Sequence, residues 1–225
     1  MQTLVVQRMR LTFGISEPLH YASVLDLGRL WERLLRRARV PLAYTQGYNP
    51  HPRLQFAAAL PVGYTSECEL LDLLLAEELE PQTFLAMIAP QLPPGLTVTH
   101  AEAIALHAPS PQAGMRAAHY RVSVCTPRSA NQVSAALDAL LTRTQIMRER
   151  HKKGEMRAYD LRPLIDSLTL SGTHGACHTL EMVLRCGQEG SGRPEQIVDA
   201  LSLDHTDLTI HRCRLTWGDP PEDKA

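Results

Sequence analysis

Asp26-Leu27-Gly28-Arg29-Leu30-Trp31-Glu32-Arg33-Leu34-Leu35-Arg36-Arg37-Ala38-Arg39, closed by Val40-Pro41, decides the reading of the fold. Leu27, Leu30, Trp31, Leu34, Leu35 and Ala38 recur at the steps of one helical face. The spacing predicts an amphipathic helix over Asp26–Arg39, with Ser23 or Asp26 as its cap and Pro41 as its stop. Working outward, Thr3–Phe13 is rich in β-branched and large apolar residues and predicts a strand. Leu54–Leu60 and Glu67–Leu75 predict two more strands. Pro81–Ile88 follows as a helix opening on proline, and Leu96–Ile104 as a fourth strand. The order is βαββαβ, that of the split-βαβ or ferredoxin-like unit.

His107–Gly114 (HAPSPQAG) breaks this pattern as a linker, and a similar order then resumes. Tyr120–Thr126 predicts a strand, Ala130–Leu141 a helix, and Gln145–Arg150 and Leu164–Leu170 strands. Thr179–Leu184 predicts a strand, Pro194–Leu201 a helix and Leu208–Trp217 the closing strand. The segment from Arg148 to Leu170 is either one long hairpin or a strand with an inserted loop. The expected fold class is therefore α+β, with two tandem ferredoxin-like halves and antiparallel sheets. The halves cover residues 1–106 and 115–219, the linker 107–114, and a disordered tail 220–225. No sequence identity links the halves, so the duplication is one of element order.

Arg29, Arg33, Arg36 and Arg37 fall within a sector of roughly 100° on the first helix, opposite its Leu/Trp face. Guanidinium groups give bidentate, permanently charged donors suited to phosphate oxygens. The bland alternative is a solvated charged face. A second basic cluster holds Arg143, Arg148, Arg150, Lys152, Lys153, Arg157 and Arg162 around Gly154. It reads either as a nucleic-acid clamp or as an exposed loop with no partner. Asp160, two residues before Arg162, either pins that arginine or caps the next turn.

Gly47-Tyr48-Asn49-Pro50-His51-Pro52 is a stiff loop. Pro50 and Pro52 fix two φ angles, and each pushes its predecessor toward extended conformations. Tyr48 and Asn49 could stack on or read a base. His51 is the best candidate for proton transfer, because histidine is the side chain suited to it near neutral pH. Its bland alternative is a histidine bonded to a nearby carbonyl.

Ser23-Val24-Leu25-Asp26, Arg36-Arg37-Ala38, Gly47 to Pro52 and Leu60-Pro61-Val62-Gly63 resemble, in that order, the signature of the bacterial radical-SAM-linked protein family, a domain of unknown function. That pattern is close to S-H-L-D, R-R-A, G-[FY]-N-P-H-P and L-P-x-G. Asp160-Leu161-Arg162-Pro163 resembles a later D-[LV]-R-P element, and Arg148 to Lys153 its basic strand. Val24 stands where the pattern has His, and His20 lies nearby. The resemblance implies that Asp26, Gly47, Pro50, Pro52, Gly63 and Asp160 are structural signature residues. It also implies a radical-SAM enzyme as partner.

Hydrophobic residues make up 44% of the chain and aromatics 5%, so the core is mainly aliphatic. The net charge of −1 does not itself advertise nucleic-acid binding, which depends on local patches. Cys68, Cys125, Cys177, Cys186 and Cys213 are dispersed and lack zinc or iron–sulfur spacing, which suggests reduced thiols in a cytoplasmic protein. No signal peptide, membrane span, resident metal or cofactor is expected. The leading expectation is an RNA- or tRNA-binding accessory of a radical-SAM enzyme. The alternatives are a metal-independent endoribonuclease, by analogy of fold, and a purely protein-binding adaptor.

Overall fold

The computed structural model describes residues 4–152, 155–187 and 190–218. Thr3, Lys153, Gly154 and the tail 220–225 lie outside the described residues. The chain divides into two compact units, and the division falls between Gly114 and Met115.

The first unit holds β1 (Gln7–Ile15), α1 (Val24–Arg37), β2 (Leu54–Phe56), β3 (Tyr64–Leu75), α2 (Pro81–Ile88) and β4 (Leu96–Ile104). β1 pairs antiparallel with both β3 and β4, and β2 pairs antiparallel with β3, giving the order β4-β1-β3-β2. The register sets Met9 opposite Leu73 and Leu11 opposite Leu71. These four side chains are fully buried. Leu27, Trp31, Leu34 and Leu35 of α1 and Phe84 and Ile88 of α2 are buried as well. Phe13 meets Trp31 edge-on, with ring centroids 5.3 Å apart. Such edge contacts suit the ring quadrupoles.

Alternation along β1 turns Arg8 and Arg10 to the other face of this sheet. Asp72, registered opposite Arg10, is fully buried. Its carboxylate accepts from Arg8 Nε at 2.9 Å and from Arg10 Nε at 2.7 Å. Arg8 also donates to the carbonyls of Ala108 and Pro109, the latter at 3.0 Å, and so fastens the segment after β4 over the sheet. The bonds to Asp72 raise the Arg10 pKa from its ordinary value. A charged residue inside the Leu70–Leu75 run is thus a buried ion-pair centre, which burial tolerates only when paired and hydrogen-bonded.

The second unit holds β5 (Met115–Cys125), α3 (Ala130–Leu141), β6 (Met147–Lys152), β7 (Glu155–Asp160), β8 (Ile165–His174), β9 (Cys177–Gly187), β10 (Gly190–Ser191), α4 (Pro194–Ala200) and β11 (Asp207–Trp217). Within it β8, β9, β5 and β11 pair antiparallel in that order, and β10 adds two residues beside the end of β9. β6 and β7 form a separate antiparallel hairpin. Val133, Leu137 and Leu140 of α3 and Ile197 and Val198 of α4 are buried, as are Val122, Val124, Leu180 and Met182 of the sheet. The protein is α+β, strand-rich and antiparallel throughout its described pairings.

Several expectations need correction. α1 begins at Val24 because Ser23 and Asp26 form a reciprocal capping box. It ends at Arg37 because Arg39 takes φ 56°, a left-handed conformation that stops a helix. β2 stops at Phe56, where the alanine run Ala57–Ala59 offers little β-propensity. β5 starts at Met115, before Tyr120. The segment Arg148–Leu170 is neither a single hairpin nor a looped strand but a hairpin followed by a separate strand. Cys125 and Cys177, expected as free thiols, are directly registered across β5 and β9 and joined by a disulfide.

Candidate nucleic-acid interface

α1 places Arg29, Arg33 and Arg37 at successive i, i+4 positions along one ridge. All three line a cleft of about 460 Å³ with Asp26, Leu30 and Leu34 of the same helix. Its opposite wall is Leu19 and Ala22, before the helix, and Gln91 and Pro93, after α2. Arg36 is exposed but is not among the residues lining the cleft. Arg29 approaches Asp26 at 3.6 Å, with both side chains more than half exposed. Among the described residues, no carboxylate lies within ion-pairing distance of Arg33, Arg36 or Arg37. The ridge therefore carries positive charge that the unit leaves largely uncompensated.

Asp26 does most of its work on the helix itself. Its carboxylate accepts from the Ser23 hydroxyl at 2.6 Å and from the Ser23 backbone N–H at 3.3 Å. These bonds, and then the charge of Arg29, hold its pKa below the ordinary carboxylate value.

The proline loop lies against the same helix. His51 Nδ1 is 3.7 Å from Glu32 Oε1. The loop closes on itself: Thr45 N–H donates to the His51 carbonyl at 2.8 Å, and His51 N–H donates to Thr45 Oγ1 at 3.0 Å. Gly47 at φ 129° makes the turn, where a side chain would be strained. Pro52 is buried and bridges Tyr44, whereas Tyr48, Asn49, Pro50 and His51 are exposed. Gly63, at φ 90°, donates to the His20 carbonyl at 2.7 Å and joins the L-P-V-G turn to the segment before α1.

The fold thus brings the Arg ridge, the proline loop and the L-P-V-G turn onto one helix and its approach. Sequence reasoning missed Gln91 and Pro93, which form the cleft wall from more than fifty residues away.

The basic hairpin belongs to the second unit. Arg148, Arg150 and Lys152 fall on alternate positions of β6, registered opposite Tyr159, Arg157 and Glu155. Arg157 approaches Glu155 at 3.2 Å. Tyr159 donates its phenol proton to Gln196 of α4 and so ties the hairpin base to the unit. Asp160 Oδ1 accepts from Ile146 N–H at 2.8 Å and Arg162 N–H at 3.0 Å, so it caps the turn that begins at Arg162 and does not pair with that side chain. Arg162 is half-buried, and its Nη1 reaches the Ile165 carbonyl at 3.4 Å.

The family model described as "Uncharacterized protein conserved in bacteria (DUF2344)" matches residues 8–194, and the chain belongs to that family. No curated protein matches it in sequence. Among solved structures, a chain titled "Crystal Structure of a Cbf5-Nop10-Gar1 Complex" superposes with a TM-score of 0.51 at 7% identity, covering 92% of this chain. This chain spans 48% of that one, and the likeness is one of α+β fold alone. A chain titled "Crystal Structure of an Unknown Protein from Galdieria sulphuraria" aligns at a TM-score of 0.27 and 11% identity, over 92% of this chain and 98% of its own. No helix of the described residues is long and apolar enough to cross a membrane.

Proposed function

We propose that this member of the DUF2344 family is an RNA-binding accessory protein that works with a separate radical-SAM enzyme in RNA modification. The observation that carries the reading is the ridge of Arg29, Arg33 and Arg37 lining a cleft, with no carboxylate within ion-pairing distance of the last two among the described residues. A row of guanidinium groups left uncompensated is what phosphate oxygens require. Beside it, Tyr48, Asn49 and His51 stand exposed on a loop held rigid by two prolines. Arg36 and the basic-cluster residues Arg148, Arg150, Lys152, Lys153 and Arg162 are assigned further phosphate contacts.

The enzyme partner is drawn from the motif resemblance. The cysteines lack cluster spacing, so the radical chemistry is assigned to the partner chain. We read each unit as a ferredoxin-like half. The support is the strand order β4-β1-β3-β2 in one and β11-β5-β9-β8 in the other, each reached by a β-α-β-β-α-β path once the β6–β7 hairpin and the two-residue β10 are set aside. A cytoplasmic location goes with a substrate of RNA.

The test is binding of the full chain to labelled tRNA across a salt titration. Affinity that falls linearly on a log–log plot, with the RNA left intact, supports the reading. Absence of binding at low salt sinks it in favour of a protein-only adaptor, and cleavage of the RNA in favour of an endoribonuclease.

A further inference from the structure

Aromatic residues are scarce here: the chain has two Trp, six Tyr and three Phe. Within the first unit the core uses Trp31, Phe13 and Phe84, all nearly or fully buried. Yet two tyrosines of the same unit are left outside. Tyr21 is 77% exposed and Tyr48 101% exposed. Among the described residues neither phenol has a hydrogen-bond partner. Burial in the core does not account for either ring.

Tyr21 adjoins the arginine cleft, and Tyr48 stands on the loop that lies against the same helix. Tyr21 precedes Ala22, which lines the cleft, by one residue. His20 packs on Tyr21 with ring centroids 3.9 Å apart, while the His20 ring is held by the Glu17 carbonyl. His20 is further fixed through its own carbonyl, which accepts from Gly63. One side of Tyr21 is thus backed by an anchored ring and the rest stands in solvent. Tyr48 lies on the proline loop, which His51 ties to Glu32 of α1. Glu32 lies about 100° round the helix from Arg33, so Tyr48 stands to the side of the arginine ridge.

We infer that this face binds single-stranded RNA, with bases stacking on Tyr21 and Tyr48 while Arg29, Arg33 and Arg37 hold the backbone phosphates. The inference rests on the RNA-binding reading above and narrows its substrate. Aromatic platforms beside a basic groove are how proteins hold single strands, because an unpaired base offers a free π-face. A duplex keeps its bases stacked on one another and offers exposed tyrosines nothing to stack against. Successive arginines of the ridge stand about 6 Å apart along the helix axis. They form a row that follows a backbone rather than a pocket that encloses a single phosphate.

The experiment measures anisotropy of a fluorescein-labelled, unstructured 12-nucleotide RNA and of the blunt duplex of the same sequence. The single strand is expected to bind about tenfold tighter or better. Tyr21→Ala and Tyr48→Ala are each expected to weaken it by roughly tenfold, since stacking of one base is worth about that much. The slope against salt should stay unchanged, and Tyr21→Phe should retain affinity. Both tyrosines are exposed, so these variants keep the fold. Equal binding of duplex and single strand, or full affinity in both alanine variants, overturns the single-strand inference and leaves the phosphate role of the ridge standing. No binding of either RNA by the unmodified chain overturns both readings.

Discussion

His51 Nδ1 stands 3.7 Å from Glu32 Oε1, so the proline loop is tied to the middle of the arginine helix. Two features that look independent in the sequence meet on one helix. The His51 side chain is 67% exposed and that of Glu32 29%, so the pair contributes little to stability, about 1 kcal/mol at most. His51→Ala should therefore leave the melting temperature within a few degrees and weaken RNA binding by several-fold, because the loop loses its anchor. A large fall in melting temperature with binding intact would identify His51 as a purely structural residue.

Arg33 and Arg37 line the cleft, and Arg36 does not. Replacing Arg33 and Arg37 together by Gln should lower the log–log salt slope of RNA binding by about 0.7 for each phosphate that is no longer neutralised. Arg36→Gln should change it less. The check is the same salt titration on all three proteins. Equal slopes in the double variant and the unmodified chain would remove the ridge from the interface.

Asp72 is fully buried between Arg8 and Arg10. Removing one member of a buried charge cluster strands the others. Asp72→Asn should cost about 3 to 5 kcal/mol, read from urea unfolding. Because Arg8 also holds the Ala108 and Pro109 carbonyls, proteolysis near residue 108 should speed up in the same variant. Stability within about 1 kcal/mol of the parent would mean that the arginines find other partners.

The first helix was legible because its buried positions repeat at helical spacing and Ser23 and Asp26 carry the capping chemistry. Asp160 could be read as a cap of the next turn because Arg162, whose N–H it accepts, lies two residues on, whereas its bond to Ile146 needs the fold. What escaped depends on strand register. Asp72 interrupts a leucine run, which is a signal for a buried charge, but only the pairing of β1 with β3 names Arg10 as its neighbour. The same holds for Cys125 and Cys177, whose 52-residue separation conceals that they face each other across β5 and β9. The far wall of the cleft comes from Gln91 and Pro93, which carry no motif.

The Cys125–Cys177 disulfide closes a loop of 52 residues in sequence separation. Cross-linking a loop of that length restricts the unfolded chain and contributes roughly 2 to 4 kcal/mol. Reduction should lower the unfolding midpoint of the second unit, seen as a shift in denaturant unfolding with and without a reductant. Cys125→Ser should reproduce the shift and become insensitive to reductant. An unchanged midpoint on complete reduction, verified by thiol counting, would show that the link adds nothing to stability.

The capping box makes the start of α1 sensitive to acid. Ser23 donates its hydroxyl and backbone N–H to Asp26 and, with Arg29 adding a smaller effect, holds the carboxylate below its ordinary pKa. A depressed folded-state pKa stabilises the fold above the unfolded-state pKa, and that contribution is lost as pH falls through the folded-state value. Stability from this group is therefore complete at neutral pH, begins to fall near the ordinary carboxylate pKa of about 4 and is lost as pH drops through the lowered folded-state value. Ser23→Ala removes the bond to the Asp26 backbone N–H and the main cause of the shift together. The variant should be less stable than the parent at pH 7, and the gap should narrow in urea unfolding at pH 3. The Asp26 carboxyl in the variant should titrate closer to its ordinary value by NMR. A gap that stays constant from pH 7 to pH 3 would assign the whole effect to the neutral half of the cap, the Ser23 hydroxyl accepting from the Asp26 N–H.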